Sequence, residues 1–281
     1  MARTDTSGAT NDTALTNDTA PTNDTAPTNE PTDSTTAQET TTSSRTSTTR
    51  RRTAAAVLCP ALDGTADRVT AFSAAPPVCV DTRATYSAVV KTSEGTFTIS
   101  LDQRTAPVTV NNFVFLARYH FFDGLNFHRI VPGFIIQGGD PEGNGQGGPG
   151  YEFTDELPGR AGYPVGAVAM ANSGPNTNGS QFFVVSGDLG LALPAQYTLF
   201  GKVTKGLDVV KTIDGLGQQP GADGTEHPPT RTVTIVSITV KSVGEKASRI
   251  PGLTTTTTSV ADTTSAVTTS SDGASASTTR A

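Results

Sequence analysis

The sequence of 281 residues has no tryptophan, only two cysteines and three histidines, and charged residues make up 16% of it. The histidines, His120, His128 and His227, form no cluster with the cysteines, so no metal site is expected. No run approaches the about eighteen apolar residues that a membrane span needs. The net charge of −6 and a single short basic cluster at residues 50–52 do not favour nucleic-acid binding.

The scarce cysteines, Cys59 and Cys79, leave the cellular compartment open. The N-terminus lacks the apolar segment of a signal peptide, so a cytoplasmic location is the default expectation. Export or a cell-surface location is the alternative. In an exported protein the two cysteines could pair and stabilise the fold by roughly 3 kcal/mol, whereas in the cytosol they would be reduced thiols.

Composition divides the chain into four segments. Residues 1–53 and 244–281 are rich in Thr, Ser, Ala, Asn and Pro. They have too little apolar surface to offset the entropy of ordering, which predicts disordered tails. Residues 54–83 form a transitional N-terminal extension, and residues 84–243 hold nearly every Phe, Ile and Val. This last segment is long enough for one domain with a full core.

Short apolar segments with alternating or continuous patterns predict strands across the domain. The alternation slips at Val236-Ser237, which predicts a bulge in the closing strand. The predicted strands cover residues 86–92, 96–101, the hairpin 127–140, and residues 165–170, 181–185, 197–203 and 233–240.

Two helices interrupt the strands. Helical spacing after Pro107 predicts an amphipathic helix that ends near Tyr119, with Thr105 or Asp102 as its cap. A second short helix is predicted around residues 207–213. Many short strands with only two helices indicate an antiparallel barrel or sandwich.

The hairpin 127–140 has an unusual composition, because the permanent cation Arg129 stands inside an apolar strand. A core hairpin whose arginine extends its charged end to water is the simpler interpretation. A fixed fork of donors beside aromatic residues suits a binding site instead. Polar residues further along the chain favour the second interpretation, a concave surface for an extended peptide. The residues of this predicted surface are Arg129, Phe134, Ile135, Gln137, Asn172, Gln181 and Phe183.

The glycine-rich segment 138–150 is predicted to be a loop that connects two strands, and a phosphate-binding loop is not expected. It lacks the Lys-Ser/Thr ending of a phosphate-binding loop, and no helical pattern follows it.

Several motifs together closely resemble cyclophilin-type peptidyl-prolyl cis–trans isomerases, in particular a bacterial-like member. The resemblance extends from about residue 86 to residue 240, and the run from Gly174 to Phe183 is its most specific part. The motifs are Phe127-His128-Arg129, Pro132-Gly133-Phe134, Gln137-Gly138-Gly139-Asp140, Asn144-Gly145, Gly147-Gly148, Met170-Ala171-Asn172, Gly174-Pro175-Asn176-Thr177-Asn178-Gly179-Ser180-Gln181-Phe182-Phe183 and Phe200-Gly201-Lys202-Val203.

The resemblance implies a closed eight-stranded antiparallel β-barrel capped by two helices, with a surface groove that rotates X-Pro bonds and assists protein folding. It implies no cofactor and no metal, proline-containing polypeptides as partners, and a monomer. The implied catalytic residues are Arg129, Phe134 and Gln137. The implied substrate-binding residues are Ile135, Gly145, Ala171, Asn172, Gln181, Phe183, Leu193 and Tyr197.

Three positions depart from the best-known eukaryotic members. Ile135 replaces a methionine of similar volume, and Tyr197 replaces a histidine, as in bacterial members. The usual tryptophan is missing around Leu191-Ala192-Leu193. Cyclosporin-like inhibitors are therefore expected to bind with reduced affinity, while isomerisation is retained.

Overall fold

The structure is a computed structural model that describes residues 57–159, 162–222 and 227–253. The predicted tail over residues 1–53 lies outside the described residues, and so does the C-terminal tail from residue 254 onward. None of the helices in the described ranges is long and apolar enough to cross a membrane.

Eight strands and two α-helices make up the described fold, which confirms the prediction of a mostly β protein with two helices. The helices are α1 (Pro107–Arg118) and α2 (Leu207–Asp214), and short 3₁₀ turns cover Asp188–Ala192 and Ala247–Arg249. The strands are β1 (Thr85–Thr92), β2 (Gly95–Leu101), β3 (Arg129–Val131), β4 (Ile135–Gly138), β5 (Ala167–Met170), β6 (Phe182–Val185), β7 (Leu199–Lys205) and β8 (Ile235–Val243).

The strands form one antiparallel sheet in the order β3-β4-β6-β5-β7-β2-β1-β8. The closure predicted for the barrel is not confirmed, because no ladder within the described residues joins the end strands β3 and β8. The chain just before β3 does pair with the start of β8 and the residues ahead of it. Phe127 donates its N–H to the Val233 carbonyl at 2.9 Å, and Gly124 donates to the Ile235 carbonyl at 2.8 Å. The sheet is therefore curled, with its two edges linked beside the end strands.

The predicted bulge in β8 is confirmed. Lys91 of β1 pairs with Ser237, but the next residue, Thr92, pairs with Ile235. Val236 is thus the extra residue on the bulged strand, and 45% of its surface is exposed. The extra residue explains why the apolar alternation slips at this point.

Helix α1 is buried on all sides, with every residue from Thr109 to Arg118 covered. An amphipathic helix was expected, and the difference arises because the chain between residues 57 and 84, here called the strap, lies over the outer face. The side chain of Asn111 accepts a hydrogen bond from the N–H of Cys79 in the strap at 2.7 Å. The buried ring of Phe72 in the strap lies 4.8 Å from that of Phe115.

The caps predicted for α1 are wrong. The N-cap residue is Ala106, which has no side-chain acceptor, and neither Thr105 nor Asp102 caps the helix. The acceptor comes from a distant loop, where the two carboxylate oxygens of Glu156 accept the N–H groups of Val108 and Thr109, each at 2.9 Å. The carboxylate satisfies two N–H donors that a helix start leaves without partners.

A disulfide between Cys59 and Cys79 closes the strap into a loop. The sequence left this pairing open. The loop holds Phe72, whose ring also lies 5.4 Å from that of Tyr119 at the end of α1. The strap is therefore fixed to the helix by a covalent bond across its base and by aromatic packing at its centre.

The chain after β8 continues as packed structure through Leu253, although the predicted tail began at residue 244. Ile250 is 4% exposed, and Gly252 donates its N–H to the Val78 carbonyl of the strap at 3.1 Å. Glu245 forms a 2.6 Å ion pair with Arg118, and both side chains are at least 94% buried. The composition of this stretch resembles a tail, but a few contacts anchor it to the domain.

Candidate active site

Three strands bring predicted site residues into one row. Arg129 of β3 pairs with Gln137 of β4, and Gln137 pairs with Phe183 of β6. Residues directly opposite each other in an antiparallel pair share a face of the sheet, so the cation, the amide and the ring stand side by side. Ile135 precedes Gln137 by two residues and points to the same face.

A cavity of about 270 Å³, here called the main cavity, opens over this row. Its lining consists of predicted site residues only: Arg129, Phe134, Ile135, Gln137, Ala171, Asn172, Phe183, Leu193 and Tyr197. The two remaining predicted residues, Gly145 and Gln181, line a second cavity of about 160 Å³. The second cavity shares Gln137, Ala171 and Asn172 with the main one, so the structure brings the whole predicted set together.

The apolar side of the main cavity rests on a small core of its own. Ile135 and Phe183 are only 4% and 3% exposed, and the rings of Phe183 and Tyr197 meet edge to face at 5.4 Å. Behind them, the hydroxyl of the buried Tyr163 donates to the Tyr197 carbonyl at 2.8 Å. Burial raises the pKa of Tyr163, so the hydroxyl keeps its proton. The motifs did not indicate Tyr163, because it acts from behind the wall.

The Pro-Gly turn between β3 and β4 is held by a residue that sequence reasoning missed. Gly133, with a φ of 75°, donates its N–H to the carboxylate of Asp214 at 3.0 Å. The hydroxyl of Ser186 donates to the same carboxylate, and the Ser186 N–H donates to the Phe134 carbonyl at 2.9 Å. Asp214 ends α2, far along the chain, so no local pattern could connect it with the position of Phe134.

Two glutamine amides connect the cation to the glycine-rich loop, and we call them the amide relay. The Gln137 amide donates through Nε2 to the side-chain oxygen Oε1 of Gln181 at 2.9 Å. The Gln181 amide donates to the backbone carbonyls of Gly145 and Gly147 at 3.0 and 2.9 Å. Arg129 donates through Nη1 to Oε1 of Gln137 at 3.5 Å. These bonds fix the orientation of both amides. As a result, the side-chain oxygen of Gln137 faces Arg129, and the side-chain oxygen of Gln181 faces Gln137.

The side chain of Asn172 is also held from within the protein. Its amide donates to the Gln196 carbonyl at 2.9 Å, and its oxygen accepts the Gly174 N–H at 3.3 Å. The described residues contain no group of three or more His, Cys, Asp or Glu side chains placed to hold a metal ion. The arrangement can bind an apolar ring in the pocket while a cation and oriented amides face the atoms beside it.

Comparison with known proteins identifies the protein family in which this site occurs. The family model described as "Cyclophilin type peptidyl-prolyl cis-trans isomerase/CLD" matches residues 87–240, which is more than half of the chain. The chain belongs to the cyclophilin family. The family recognised from the motifs is therefore confirmed, and with it the enzyme class of the chain, an isomerase.

Two relatives illustrate the range of similar cyclophilins. The "Peptidyl-prolyl cis-trans isomerase-like 1" of Gibberella zeae is 41% identical over 160 residues, which cover 56% of this chain and 95% of that protein. The "Probable peptidyl-prolyl cis-trans isomerase B" of Mycobacterium tuberculosis is 40% identical over 171 residues, which cover 55% of this chain and 54% of that protein.

The cyclophilin fold is also found in similar solved structures. A cyclophilin-type isomerase of Cryptosporidium parvum is 31% identical, with a TM-score of 0.51, and the match covers 56% of this chain and 98% of that one. A second structure of that protein, in the presence of the dipeptide Ala-Pro, gives a TM-score of 0.50 at 31% identity, over 55% of this chain and 98% of that one.

Proposed function

We propose that the protein is a peptidyl-prolyl cis–trans isomerase that rotates X-Pro bonds and so assists protein folding. One observation carries the proposal: the main cavity combines a guanidinium with an apolar pocket on one face of the sheet. Amide resonance opposes rotation with a barrier of about 18–20 kcal/mol. A catalyst must therefore bind the twisted amide more tightly than the planar one.

The apolar pocket is the proposed seat of the proline ring. Phe134, Ile135, Phe183 and Leu193 line it, and the edge-to-face contact of Phe183 with Tyr197 gives it a rigid wall. A ring held there stays fixed while the part of the peptide before the proline rotates. Because the pocket binds planar and twisted substrate alike, its main contribution is to substrate binding.

Arg129 is the proposed source of rate enhancement. Twisting the X-Pro bond localises a lone pair on the prolyl nitrogen and changes the charge on the preceding carbonyl oxygen. A guanidinium offers rigid N–H donors to such atoms, and its contribution is larger where more charge is localised. Gln137, with its oxygen 3.5 Å from Nη1, keeps the guanidinium in place. No covalent bond forms or breaks, so the step needs no nucleophile.

The second cavity is the proposed site of the residues that precede proline. Since the Asn172 side chain bonds within the protein, a substrate would pair with the backbone of this residue. Ala171 and Gly145 have small or no side chains and leave room for a substrate side chain beside the Gln181 amide.

Exchange spectroscopy by NMR on an Ala-Pro tetrapeptide tests the proposal. Catalytic amounts of the protein should accelerate cis–trans exchange, which takes tens to hundreds of seconds without a catalyst. The same peptide with alanine in place of proline should not bind. A peptide that binds while its exchange rate stays unchanged would identify a proline-binding module and overturn the proposal.

We propose that the protein works in an oxidising compartment rather than in the cytoplasm. The Cys59–Cys79 disulfide supports export, since such bonds persist outside the reducing cytosol. Cell fractionation with thiol labelling tests this. Both cysteines should resist labelling in native protein from an extracytoplasmic fraction. Labelled thiols in a purely cytosolic pool would contradict it.

Three further properties are part of the proposed function. A cyclosporin-type ligand should bind weakly, because no tryptophan stands near Leu193. Calorimetry should show tighter binding after Leu191→Trp.

Closure of the barrel beside β3 and β8 is supported by the backbone hydrogen bonds from Phe127 to Val233 and from Gly124 to Ile235. Slow hydrogen exchange of these N–H groups would agree with a closed barrel. Sedimentation velocity should give a monomer.

A further inference from the structure

The carboxylate of Asp140 organises the glycine-rich loop that follows β4. The residue is 1% exposed. Its oxygens accept the backbone N–H groups of Glu142 at 2.7 Å, Asn144 at 3.0 Å and Gly145 at 2.6 Å. A buried carboxylate with three backbone donors fixes the path of the chain around it. The motifs include Asp140, but no role followed from them.

The same loop supplies the carbonyls at the end of the amide relay. Gly145 donates its N–H to Asp140, and its carbonyl accepts the Gln181 amide. Gly147, the second acceptor, is in contact with Asp140, because a Cβ at Gly147 would stand 1.9 Å from the Asp140 carboxylate oxygen. The carboxylate of Asp140 therefore binds one of the two acceptor residues of Gln181 and packs directly against the other.

The relay then transmits this placement to the cation. With its Nε2 held by two carbonyls, Gln181 must turn its oxygen toward the Gln137 amide. Gln137 in turn presents its own oxygen to Arg129. We propose that Asp140 is a positioning residue for the isomerase reaction, which holds Arg129 in its catalytic orientation through Gln181 and Gln137. The proposal rests on the function proposed above.

The electrostatics of Asp140 agree with this role. Burial alone would raise the pKa of its carboxyl, but the N–H groups of Glu142 and Gly145 and the charge of His128 outweigh burial and hold the pKa below 3.8. The group is thus an anion at working pH, and all its lone pairs are available to donors. An amide in its place would turn an NH₂ group toward backbone N–H donors.

The test compares Asp140→Asn with Asp155→Asn. Asp155 is a matched control because it also joins loop groups, accepting the N–H of Asn176 and the side-chain amide of Asn178, each at 2.8 Å, outside the relay. In the peptide exchange assay, Asp140→Asn should lower kcat about tenfold or more, equivalent to about 1.4 kcal/mol, with a smaller change in KM. Asp155→Asn should stay within twofold of wild type.

A readout besides activity separates positioning from general damage. In ¹⁵N spectra, Asp140→Asn should shift or broaden the side-chain signals of Gln137, Gln181 and Arg129, and Asp155→Asn should not. Because both changes break one relay, Asp140→Asn combined with Gln181→Ala should be no slower than the slower single variant.

Three outcomes overturn the inference. They are unchanged Gln137 and Gln181 signals in folded Asp140→Asn, additive effects in the double variant, and unchanged kcat. If Asp140→Asn does not fold, Asp140→Ser, which is smaller and keeps one oxygen acceptor, takes its place. If the wild type does not accelerate exchange, the proposed function fails, whereas the side-chain signals still decide whether Asp140 orders the relay.

Discussion

The main cavity and the strap hold their side chains by different means. Around the cavity, directional hydrogen bonds orient half-exposed side chains such as Gln137 and Asn172. In the strap, the Cys59–Cys79 bond and the buried ring of Phe72 fix the chain by covalent linkage and packing. We therefore expect one region to control the orientation of the site and the other to control stability. Changes at the cavity should affect rate, and changes in the strap should affect unfolding.

The sharpest test of this separation is Arg129→Ala. Loss of the donors to the twisted amide should lower kcat/KM about 10²- to 10³-fold in the exchange assay. The midpoint of thermal unfolding should move by no more than about 2 °C. Arg129→Lys is the matched control, because it keeps the charge but not the planar fork. A rate within a factor of two of wild type after Arg129→Ala would exclude the proposed role of this residue.

The opposite result is expected in the strap. Replacing Cys59 and Cys79 together by serine should lower the free energy of unfolding by about 3 kcal/mol, as expected for a disulfide that closes a loop of this size. Urea unfolding measures the loss, and the same protein in reductant is the control. Activity of the folded variant should stay within twofold. A larger fall would show that the two regions are coupled.

A smaller loss of stability is expected where a loop meets α1. Glu156→Gln keeps the shape of the side chain but removes the charge that accepts the N–H groups of Val108 and Thr109. The loss should be about 1 kcal/mol by urea unfolding, as for other helix caps. Glu152→Gln, an exposed change in the same loop, is the control and should be neutral. Equal effects of the two variants would contradict the capping role.

The smallest effect concerns pH and the strap. The imidazolium of His120 donates to the Gly64 carbonyl at 2.8 Å and to Asp123 at 2.9 Å. These bonds, first that to Gly64, raise the pKa of His120 above its ordinary 6.5. The stabilisation is complete below pH 6.5 and is lost as pH rises through the raised pKa. The ring is 36% exposed, so solvent limits the loss to about 0.5 kcal/mol.

Unfolding of His120→Gln measured from pH 5.5 to 9 isolates this contribution. The difference in stability between wild type and variant should decrease as pH rises. A constant difference would show that the protonated form gains nothing from Gly64 and Asp123.

The parts of the fold that were predicted from sequence depend on local signals. Motifs and strand periodicity indicated that Arg129, Gln137 and Phe183 belong to one site. In the structure the strand register places Arg129 opposite Gln137, and Gln137 opposite Phe183. The bulge at Val236 was likewise visible as a slip in alternation. Such features are encoded within a few residues of the position they describe.

The remaining features depend on contacts between distant segments. Nothing near Pro107 indicates that Glu156 caps its helix, and nothing near Phe134 indicates that Asp214 fixes its turn. The outer face of α1 is covered because the strap, distant from it in local pattern, folds back over it. Composition also misjudged the chain after residue 243, where a few contacts hold polar sequence in place, among them the buried ion pair of Arg118 with Glu245 and the buried Ile250.

The ends of the described chain meet at one point, and this has a mechanical consequence. Gly252 bonds to Val78 and packs against Cys59, where a Cβ at Gly252 would stand 2.6 Å from the sulfur. Tension applied through the two ends of the described chain would therefore load the disulfide and this contact first, before it reaches the ladder between β1 and β8.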